Sequence, residues 1–503
     1  MDTTISRRSF LSGTALIGAG AVAASLAGCA PTPTSSAGAG TENPSASSSG
    51  AIPGATSVEH NPISTETCDI VVIGTGTAGM CASVRAGELG AKVICLEKNA
   101  AIGGSSGAAE GIGGVGTYWQ KEHGIDINEN DVFLATQAYH HWAANSEVLH
   151  RYINESGATI DWLHDSCGIN FVTSTIVSPI SYRTWHLAGL PGSDTPARNQ
   201  ETILEPLMEY GEQLGVDYRL SSPATGLIYE DGEVKGVYFS NDEGEFAIEA
   251  SKAVILATGG YSNNSEMFEF FAHVPFDRIH NWGIPGRDGD GIGWAIEIGA
   301  DTHIPSAVMY SCTGIPDTPA FEDKANWVFS WQPNMRVNQD ANRFVNEFNA
   351  PDFALISNSV LSQTRCFSIM DQAYLDMIND VALPIGLDSL GYITGQPLEG
   401  ARDAVNEAIT AGRAFKADTI EKLAEQLQLD SGALKATLES YNSYAETGID
   451  PEFGAPKEVL FALTNPPFYA AEILPACFTS VGGLNVNTNL QVLREDGTPI
   501  PHL

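Results

Sequence analysis

The chain has 503 residues, 43% hydrophobic and 17% charged, which suits a packed globular protein too long for one core, so two or three domains are expected. Lys and Arg number 25 against 61 Asp and Glu, giving a formal net charge of −36. Because such a surface repels phosphate backbones, we expect no nucleic-acid partner.

The N-terminus is predicted to be an export signal. Arg7 and Arg8 precede a short apolar run over residues 15–27, a pattern that resembles a twin-arginine signal. The sequence Leu-Ala-Gly-Cys that ends at Cys29 resembles a lipobox, in which Cys29 is lipidated and becomes the mature N-terminus. The alternative is a simple membrane anchor, for which the run is short. We therefore expect twin-arginine export and a lipid-anchored protein at the outer face of the cell membrane or in the periplasm.

A dinucleotide-binding unit follows. Residues 69–73 (DIVVI) predict a buried parallel strand, which runs directly into the glycine-rich sequence 74–79 (GTGTAG) and then a helix. A second strand over 92–96 ends at Glu97, an acid that lies 18 positions beyond Gly79. The complete strand, turn, helix, strand and acid is a far more specific signal than the glycines alone.

Each part of this unit has a physical task. Gly74 permits the tight turn, Gly76 lets a pyrophosphate approach the backbone, and Gly79 lets helix and strand pack closely. The helix N-terminus offers free N–H groups and the positive end of its dipole to phosphates. The carboxylate of Glu97 is placed to accept hydrogen bonds from ribose hydroxyls.

Further glycine-rich runs favour FAD over NAD. A second run over 103–114 (GGSSGAAEGIGG) follows the ribose acid, a third follows a buried strand at 258–260 (TGG), and a fourth at 286–291 precedes a helix. Such repetition is typical of flavin enzymes, which bring backbone against a long extended cofactor. The predicted cofactor-binding residues are Gly74, Gly76, Thr77, Ala78, Gly79, Glu97, Lys98, Gly103, Gly104, Ser105, Ser106, Gly111, Ala224, Thr258, Gly259, Gly260 and Asp290.

Together these runs resemble the flavoprotein family of fumarate reductase, succinate dehydrogenase flavoprotein and 3-ketosteroid dehydrogenase, with the exported, soluble fumarate-reductase-like branch nearest. The resemblance extends along nearly all of the chain beyond the linker and rests on the order and spacing of its motifs. These are residues 160–163 (IDWL), 257–260 (ATGG), 288–291 (DGDG), 343–347 (RFVNE), 441–442 (YN), Gly448 with Asp450, 466–469 (PPFY) and 482–484 (GGL).

The resemblance implies an α/β fold in which a Rossmann-like FAD-binding domain is split in sequence and carries an inserted α+β capping domain. It also implies that the cap closes over the flavin, that a hydride passes from the flavin to one alkene carbon, and that a side-chain acid protonates the other. The implied segments are a signal over 1–29, a disordered linker over 30–65, the FAD-binding domain over 66–302, the capping domain over 303–474 and a return to the FAD-binding domain over 475–503.

Three groups that hold or protonate a dicarboxylate in the family are replaced in this sequence. Pro351 stands in place of an arginine, Thr479 in place of a histidine, and Tyr310 near the place of a second histidine, with His303 close by. We therefore expect that the substrate is not fumarate but a less charged enone, acrylate or steroid-like molecule. The candidate catalytic residues are Tyr310 as proton donor, Arg336 as a substrate contact, and Thr479. For Tyr310 and His303, a purely structural role is the alternative.

Family members continue past the position of Leu503 through a strand, a glycine-rich turn and a long helix that help seat the flavin. On that basis we expect a truncated C-terminus and an incomplete return to the FAD-binding domain.

The predicted function is that of an exported FAD-dependent oxidoreductase that acts on CH–CH bonds and reduces the activated C=C bond of a small organic acceptor. The eight cysteines form no CxxC or CxxCH sequence, so we expect no metal, haem or iron–sulfur site. Electrons must then come from an external donor, either a cytochrome or a flavoprotein. Two alternatives stay open: a 3-ketosteroid-type dehydrogenase working in the oxidative direction, and an inactive flavin-binding fragment or pseudoenzyme lipoprotein.

Overall fold

The computed structural model describes residues 59–177, 180–303, 313–318, 323–350, 352–387, 391–477 and 479–503. The predicted signal, most of the predicted linker, the lipidation site Cys29, the candidate proton donor Tyr310 and Pro351 all lie outside the described residues.

The strands vary in length from two to thirteen residues. In chain order they are β1 (Thr65–Ile73), β2 (Val93–Leu96), β3 (Gly111–Gly113), β4 (Asn170–Val177), β5 (Ile180–Gly189), β6 (Asp217–Arg219), β7 (Ala224–Glu230), β8 (Glu233–Asn241), β9 (Gly244–Leu256), β10 (His280–Asn281), β11 (Thr302–His303), β12 (Thr313–Gly314), β13 (Met335–Asn338), β14 (Cys366–Asp371), β15 (Phe415–Ala417), β16 (Phe468–Glu472), β17 (Leu474–Cys477) and β18 (Gly483–Leu484).

The helices lie between these strands and cover the sheets. They are α1 (Thr77–Glu88), α2 (Gly104–Ala108), α3 (Tyr118–Glu122), α4 (Glu129–Tyr139), α5 (Ser146–Asp165), α6 (Glu205–Gln213), α7 (Ser265–Ala272), α8 (Asp290–Glu297), α9 (Lys324–Phe329), α10 (Phe353–Leu361), α11 (Gln372–Asp380), α12 (Ala401–Thr410), α13 (Ile420–Leu427) and α14 (Ser431–Thr447). Within the part of the chain that the structure describes, none of them combines the length and apolar character that a bilayer span requires.

The main sheet places the dinucleotide motif at the carboxyl ends of parallel strands. Its order is β6, β2, β1, β9, β8, β7, with β1 parallel to both β2 and β9. Val71 and Val72 of β1 are fully buried, as a strand covered on both faces requires. The last β1 residue, Ile73, pairs with Leu96 and Leu256, so three glycine-containing loops begin at one edge of the sheet. The α/β fold and the strand, helix and strand order around the glycine motif are confirmed.

A second sheet, β13-β14-β16-β15, lies within the stretch predicted to form the cap, and helices α9 to α14 belong to the same stretch. Its core includes the fully buried side chains of Trp327, Phe329, Phe367 and Tyr441. Large aromatic side chains bury more apolar area per residue than aliphatic ones, and the cluster also includes Trp282 and Ala476 from outside this stretch.

The chain then returns to the elements that precede the second sheet. β17 pairs in parallel with β10, and β18 pairs with β11. Val492 and Ile500 pack in the same core cluster as Val254 of β9. The last residues also reach this sheet through backbone bonds, since the amide of Val254 donates to the carbonyl of His502 at 2.9 Å.

Candidate cofactor and active site

A cavity lies at the carboxyl ends of β1, β2 and β9, where three glycine-containing loops meet. The residues that line it come from the loop after β1, the end of β2, the turn that leads into α2, the turn after β9 and the loop before α8. The predicted residues found in this lining are Gly74, Gly76, Thr77, Ala78, Glu97, Lys98, Gly103, Gly104, Ser105, Ser106, Ala224, Thr258, Gly259 and Asp290.

The first loop needs glycine for two different reasons. Gly74 has a φ of +106°, and a Cβ built on it would overlap the carbonyl oxygen of Ala257 after β9. A Cβ on Gly79 would in turn overlap the carbonyl oxygen of Gly74, so only glycine lets α1 pack this closely on the turn. Gly79 is outside the cavity lining, which agrees with the packing task expected of it.

The carboxylate of Glu97 is held in one orientation by four donors. Its Oε2 accepts from the amide of Thr75 at 3.1 Å and from the Thr75 hydroxyl at 2.7 Å. Its Oε1 accepts from the amide and the side-chain nitrogen of Asn99, both at 2.9 Å. The side chain is buried yet borders the cavity, so its orientation is set before any ligand arrives.

The second glycine-rich run is bonded to the first. Ser106 Oγ accepts from the amide of Thr77, in the first turn of α1, at 2.9 Å. The amide of Gly103 donates to the hydroxyl of Thr75 at 3.3 Å. Gly104 also borders the cavity, and a Cβ added to it meets nothing within 4 Å, so the backbone here faces open space.

Two cations border the cavity, Lys98 just after β2 and Arg287 in the loop before α8. Lys98 Nζ contacts Asp288 at 2.8 Å and Asp290 at 2.7 Å. Burial opposes the charged form of Lys98, but the hydrogen bonds to the two carboxylates outweigh it, and the pKa of Lys98 is raised. Arg287 also lines the cavity, where its Nε donates to Ser105 Oγ, and burial lowers the pKa of its guanidinium.

The sequence did not identify several residues of this site: Thr75, Asn99, Pro285, Gly286, Arg287 and Trp294. Thr75 and Gly286 lie inside glycine runs that were recognised, so extending each run to every member would have found them. Arg287 also lies inside the recognised run 286–291, but Trp294 carries no such signal, because a single aromatic side chain beside a turn is common on any surface.

Two further predicted cofactor residues lie outside the cavity lining. Gly111 is in β3, where a Cβ would approach Trp185 Nε1 and the carbonyl of His186 on β5. A Cβ on Gly260 would overlap Ser480 Oγ. Both glycines therefore permit a close approach between neighbouring segments.

Thr479 lies outside the cavity lining, one residue from a contact with the turn after β9. Its neighbour Ser480 accepts a hydrogen bond from the amide of Tyr261 at 2.9 Å, and the Tyr261 hydroxyl donates to the carbonyl of Val481 at 2.8 Å. These bonds fasten the returning chain against the turn that contains Gly259, which lines the cavity. Thr479 is itself half-buried and directly precedes Ser480 at this junction.

Arg336 stands apart from the cavity lining. Its side chain is fully buried in β13, where Nη2 donates to the carbonyl of Ser330 at 2.6 Å, and burial lowers its pKa to about 10. His303 is exposed, and its Nε2 is 2.7 Å from the carbonyl of Ala143. Neither residue is brought to the cofactor cavity.

The cavity fits FAD. It offers backbone at Gly104 and Gly259 with open space in front of it, a fixed carboxylate at Glu97 for a ribose, and an Arg287 nitrogen that is shielded from solvent and has no hydrogen-bond partner among the described residues. When bound, FAD supplies hydride transfer to or from a carbon atom. The residues of this chain supply its binding and its orientation.

Comparison with known proteins also indicates an FAD-binding protein. Residues 69–503 match the family model described as the FAD binding domain. Vinyl phenol reductase of Lactiplantibacillus plantarum is 32% identical over 446 residues, which cover 86% of this chain and 88% of that protein.

Two solved structures have a similar fold. The open conformation of a flavocytochrome c3 fumarate reductase superposes with a TM-score of 0.66 at 26% identity, over 88% of this chain and 72% of the other. The 3-ketosteroid-Δ4-(5α)-dehydrogenase of Rhodococcus jostii RHA1 gives a TM-score of 0.63 at 25% identity, over 87% and 89%.

Proposed function

The chain belongs to the FAD-binding family whose model spans residues 69–503 and is an FAD-dependent oxidoreductase acting on CH–CH bonds, and from this premise we propose that it reduces the activated C=C bond of a small, uncharged organic acceptor other than fumarate. The observation that carries the proposal is that a neutral residue, Thr479, stands beside Ser480, which bonds the turn that follows Gly259 of the cavity lining. A neutral hydroxyl there donates a hydrogen bond to a carbonyl or phenol but does not neutralise a carboxylate.

A phenolic alkene is the first acceptor class to test. The relative from Lactiplantibacillus plantarum is named for a vinyl phenol, which is aromatic and carries no carboxylate. The formal charge of −36 adds a second reason, because an anionic acceptor approaches this surface against electrostatic repulsion.

The second candidate function is dehydrogenation in the reverse direction. It is favoured by the fold shared with a 3-ketosteroid dehydrogenase over 87% of this chain. An oxidised dye with a saturated ketosteroid tests it, since only the dehydrogenase then reduces the dye.

We also propose that the protein works outside the cytoplasm, exported by the twin-arginine route, held to the membrane by a lipid on Cys29, and reduced by an external cytochrome or flavoprotein. The support is the Arg7-Arg8 pair, the lipobox-like sequence at Cys29 and the absence of CxxC and CxxCH sequences from the chain. A route for folded proteins suits an enzyme that acquires its flavin before export.

The proposed activity is tested by anaerobic reoxidation. The flavin of the purified holoprotein is first reduced with a reduced dye. The absorbance of the flavin is then followed after addition of 4-vinylphenol, an aromatic enone, acrylate, a steroid enone or fumarate. We expect rapid reoxidation by an uncharged member and none by fumarate. Reoxidation by fumarate alone would contradict the proposal, and no reoxidation by any member would support an inactive flavin-binding protein.

A further inference from the structure

The two cations that line the cofactor cavity differ in how their charge is offset. Lys98 lies between two carboxylates, Asp288 at 2.8 Å and Asp290 at 2.7 Å, so its positive charge is already balanced within the protein. Arg287 forms no ion pair within the described part of the chain, although it is flanked in sequence by the same acidic loop. Among the described residues, the site thus holds one guanidinium without an anionic partner.

The contacts of Arg287 and its neighbour Gly286 place this loop between two other parts of the cavity lining. Its Nε donates to the hydroxyl of Ser105, and the next residue, Ser106, bonds the amide of Thr77 in the first turn of α1. On the other side, a Cβ on Gly286 would lie 3.1 Å from Lys98 Cε and 3.3 Å from the side-chain nitrogen of Asn99. Arg287 therefore stands between the end of β2, where the ribose acid is found, and the N-terminus of α1.

One further nitrogen of the guanidinium, Nη1, indicates a ligand. Nη1 is shielded from solvent and has no hydrogen-bond partner within the described residues. A buried donor without an acceptor is costly, and such groups in native proteins are usually met by a ligand or an ordered water. The amide of Thr77 is already taken by Ser106, which reduces the donors that α1 itself offers to a phosphate.

We propose that Arg287 binds the pyrophosphate of FAD and is the cationic partner that this chain supplies to it. The inference rests on FAD binding and is independent of which alkene the enzyme reduces. A planar guanidinium forms paired, charge-assisted hydrogen bonds with phosphate oxygens, and the hydroxyl of Ser105 fixes its orientation through Nε.

The first experiment measures FAD release from the purified full-length holoprotein by the fluorescence of the freed flavin over a series of salt concentrations. Arg287→Gln should raise the equilibrium constant for release roughly 10- to 100-fold and flatten its dependence on salt. The release constant of Arg287→Lys should fall between those of the unaltered protein and Arg287→Gln. Arg278→Gln is the matched control, because Arg278 is an exposed arginine on the same segment that bonds the carbonyls of Leu361 and Gln363.

The second experiment locates the contact. After removal of FAD, ADP should bind Arg287→Gln about tenfold more weakly than the unaltered protein, while adenosine, which lacks phosphate, should bind both equally. Equal loss for ADP and adenosine would show a general defect and overturn the proposal.

Unchanged FAD release together with a shifted flavin reduction potential would also overturn the proposal that Arg287 binds the pyrophosphate. The guanidinium would then face the flavin ring and not the phosphates. Failure of every alkene to reoxidise the enzyme would contradict the proposed activity and leave these binding measurements intact.

Discussion

The hydroxyl of Thr75 donates a hydrogen bond to Glu97 Oε2 across 2.7 Å and accepts another from the amide of Gly103 at 3.3 Å. One side chain thus joins the loop after β1, the acid at the end of β2 and the second glycine run. The carboxylate of Glu97, which we expect to bind a ribose, therefore also helps to hold together the loops that line the cofactor cavity.

Glu97→Ala should weaken FAD binding and lower stability together. The substitution removes an acceptor for four donors on Thr75 and Asn99, and each buried donor left unsatisfied costs about 1–3 kcal/mol. Glu97→Gln keeps one acceptor oxygen and should show a smaller loss. The ratio of FAD to protein after gel filtration and the midpoint of urea unfolding measure the two effects. Full FAD content in the Ala variant would contradict the assignment.

Arg343→Ala should strongly destabilise the region around the second sheet. Arg343 contacts Glu347 at 2.7 Å and Asp450 at 2.8 Å, and all three side chains are buried, so its removal leaves two carboxylates without a cation. Breaking a buried pair in this way typically costs about 3–5 kcal/mol. Arg402→Ala is the control, because its ion pairs with Asp376 and Asp380 are exposed and should contribute about 0–1 kcal/mol. Calorimetry that gives equal losses for both variants would refute this ranking.

The same cluster predicts a pH dependence. Burial alone would raise the pKa of Asp450, but hydrogen bonds from Arg343 and from the amides of Ala455, Phe453 and Glu452 lower it to about 2, from an ordinary value of 3.8. A carboxyl whose pKa is lower in the folded state stabilises that state above its unfolded pKa. The contribution should therefore be complete above pH 3.8 and disappear as the pH falls towards 2.

Asp450→Asn tests this dependence. The difference in unfolding free energy between the unaltered protein and this variant should shrink as the pH is lowered from 4 to 2. A difference that stays constant over that range would show that the carboxylate charge contributes nothing to folding.

Replacing both Arg7 and Arg8 by Lys should block export, because the twin-arginine route reads that pair. Cell fractionation should then find the protein, with its FAD, in the cytoplasm. Cys29→Ser should leave export intact and release the protein from the membrane fraction. Export of the double Lys variant would refute the proposed route.

The local parts of the fold were predictable, because the periodicity of hydrophobic residues and the spacing of glycines are encoded within short stretches of sequence. The strand 69–73, the helix after 74–79 and the acid Glu97 all follow from such stretches. The strand that ends at Leu256 was recognised, but it begins earlier, at Gly244, because its first half pairs with β8 in a hairpin.

Long-range relations could not be predicted in the same way. The link from Arg287 to Ser105 joins residues 182 positions apart and depends on where two loops meet after β1, β2 and β9 have assembled. The buried state of Arg336 likewise arises from the packing of β13 against β14, which no local pattern specifies. Whether Thr479 acts in catalysis stays a prediction.

Comparison of Thr479→Val with Ser480→Ala separates a loss of catalysis from a loss of structural stability. Valine has the shape of threonine without its hydroxyl, so if that hydroxyl bonds the acceptor, turnover should fall about 10- to 100-fold while FAD content is unchanged. Ser480→Ala removes the acceptor of the Tyr261 amide and loosens the returning chain against Gly260, so it should lower the melting temperature and FAD retention together. If Thr479→Val has normal turnover with the best alkene of the panel, the hydroxyl does not bind substrate and the role must pass to another residue. If both variants lose FAD equally, Thr479 belongs to the same structural junction as Ser480.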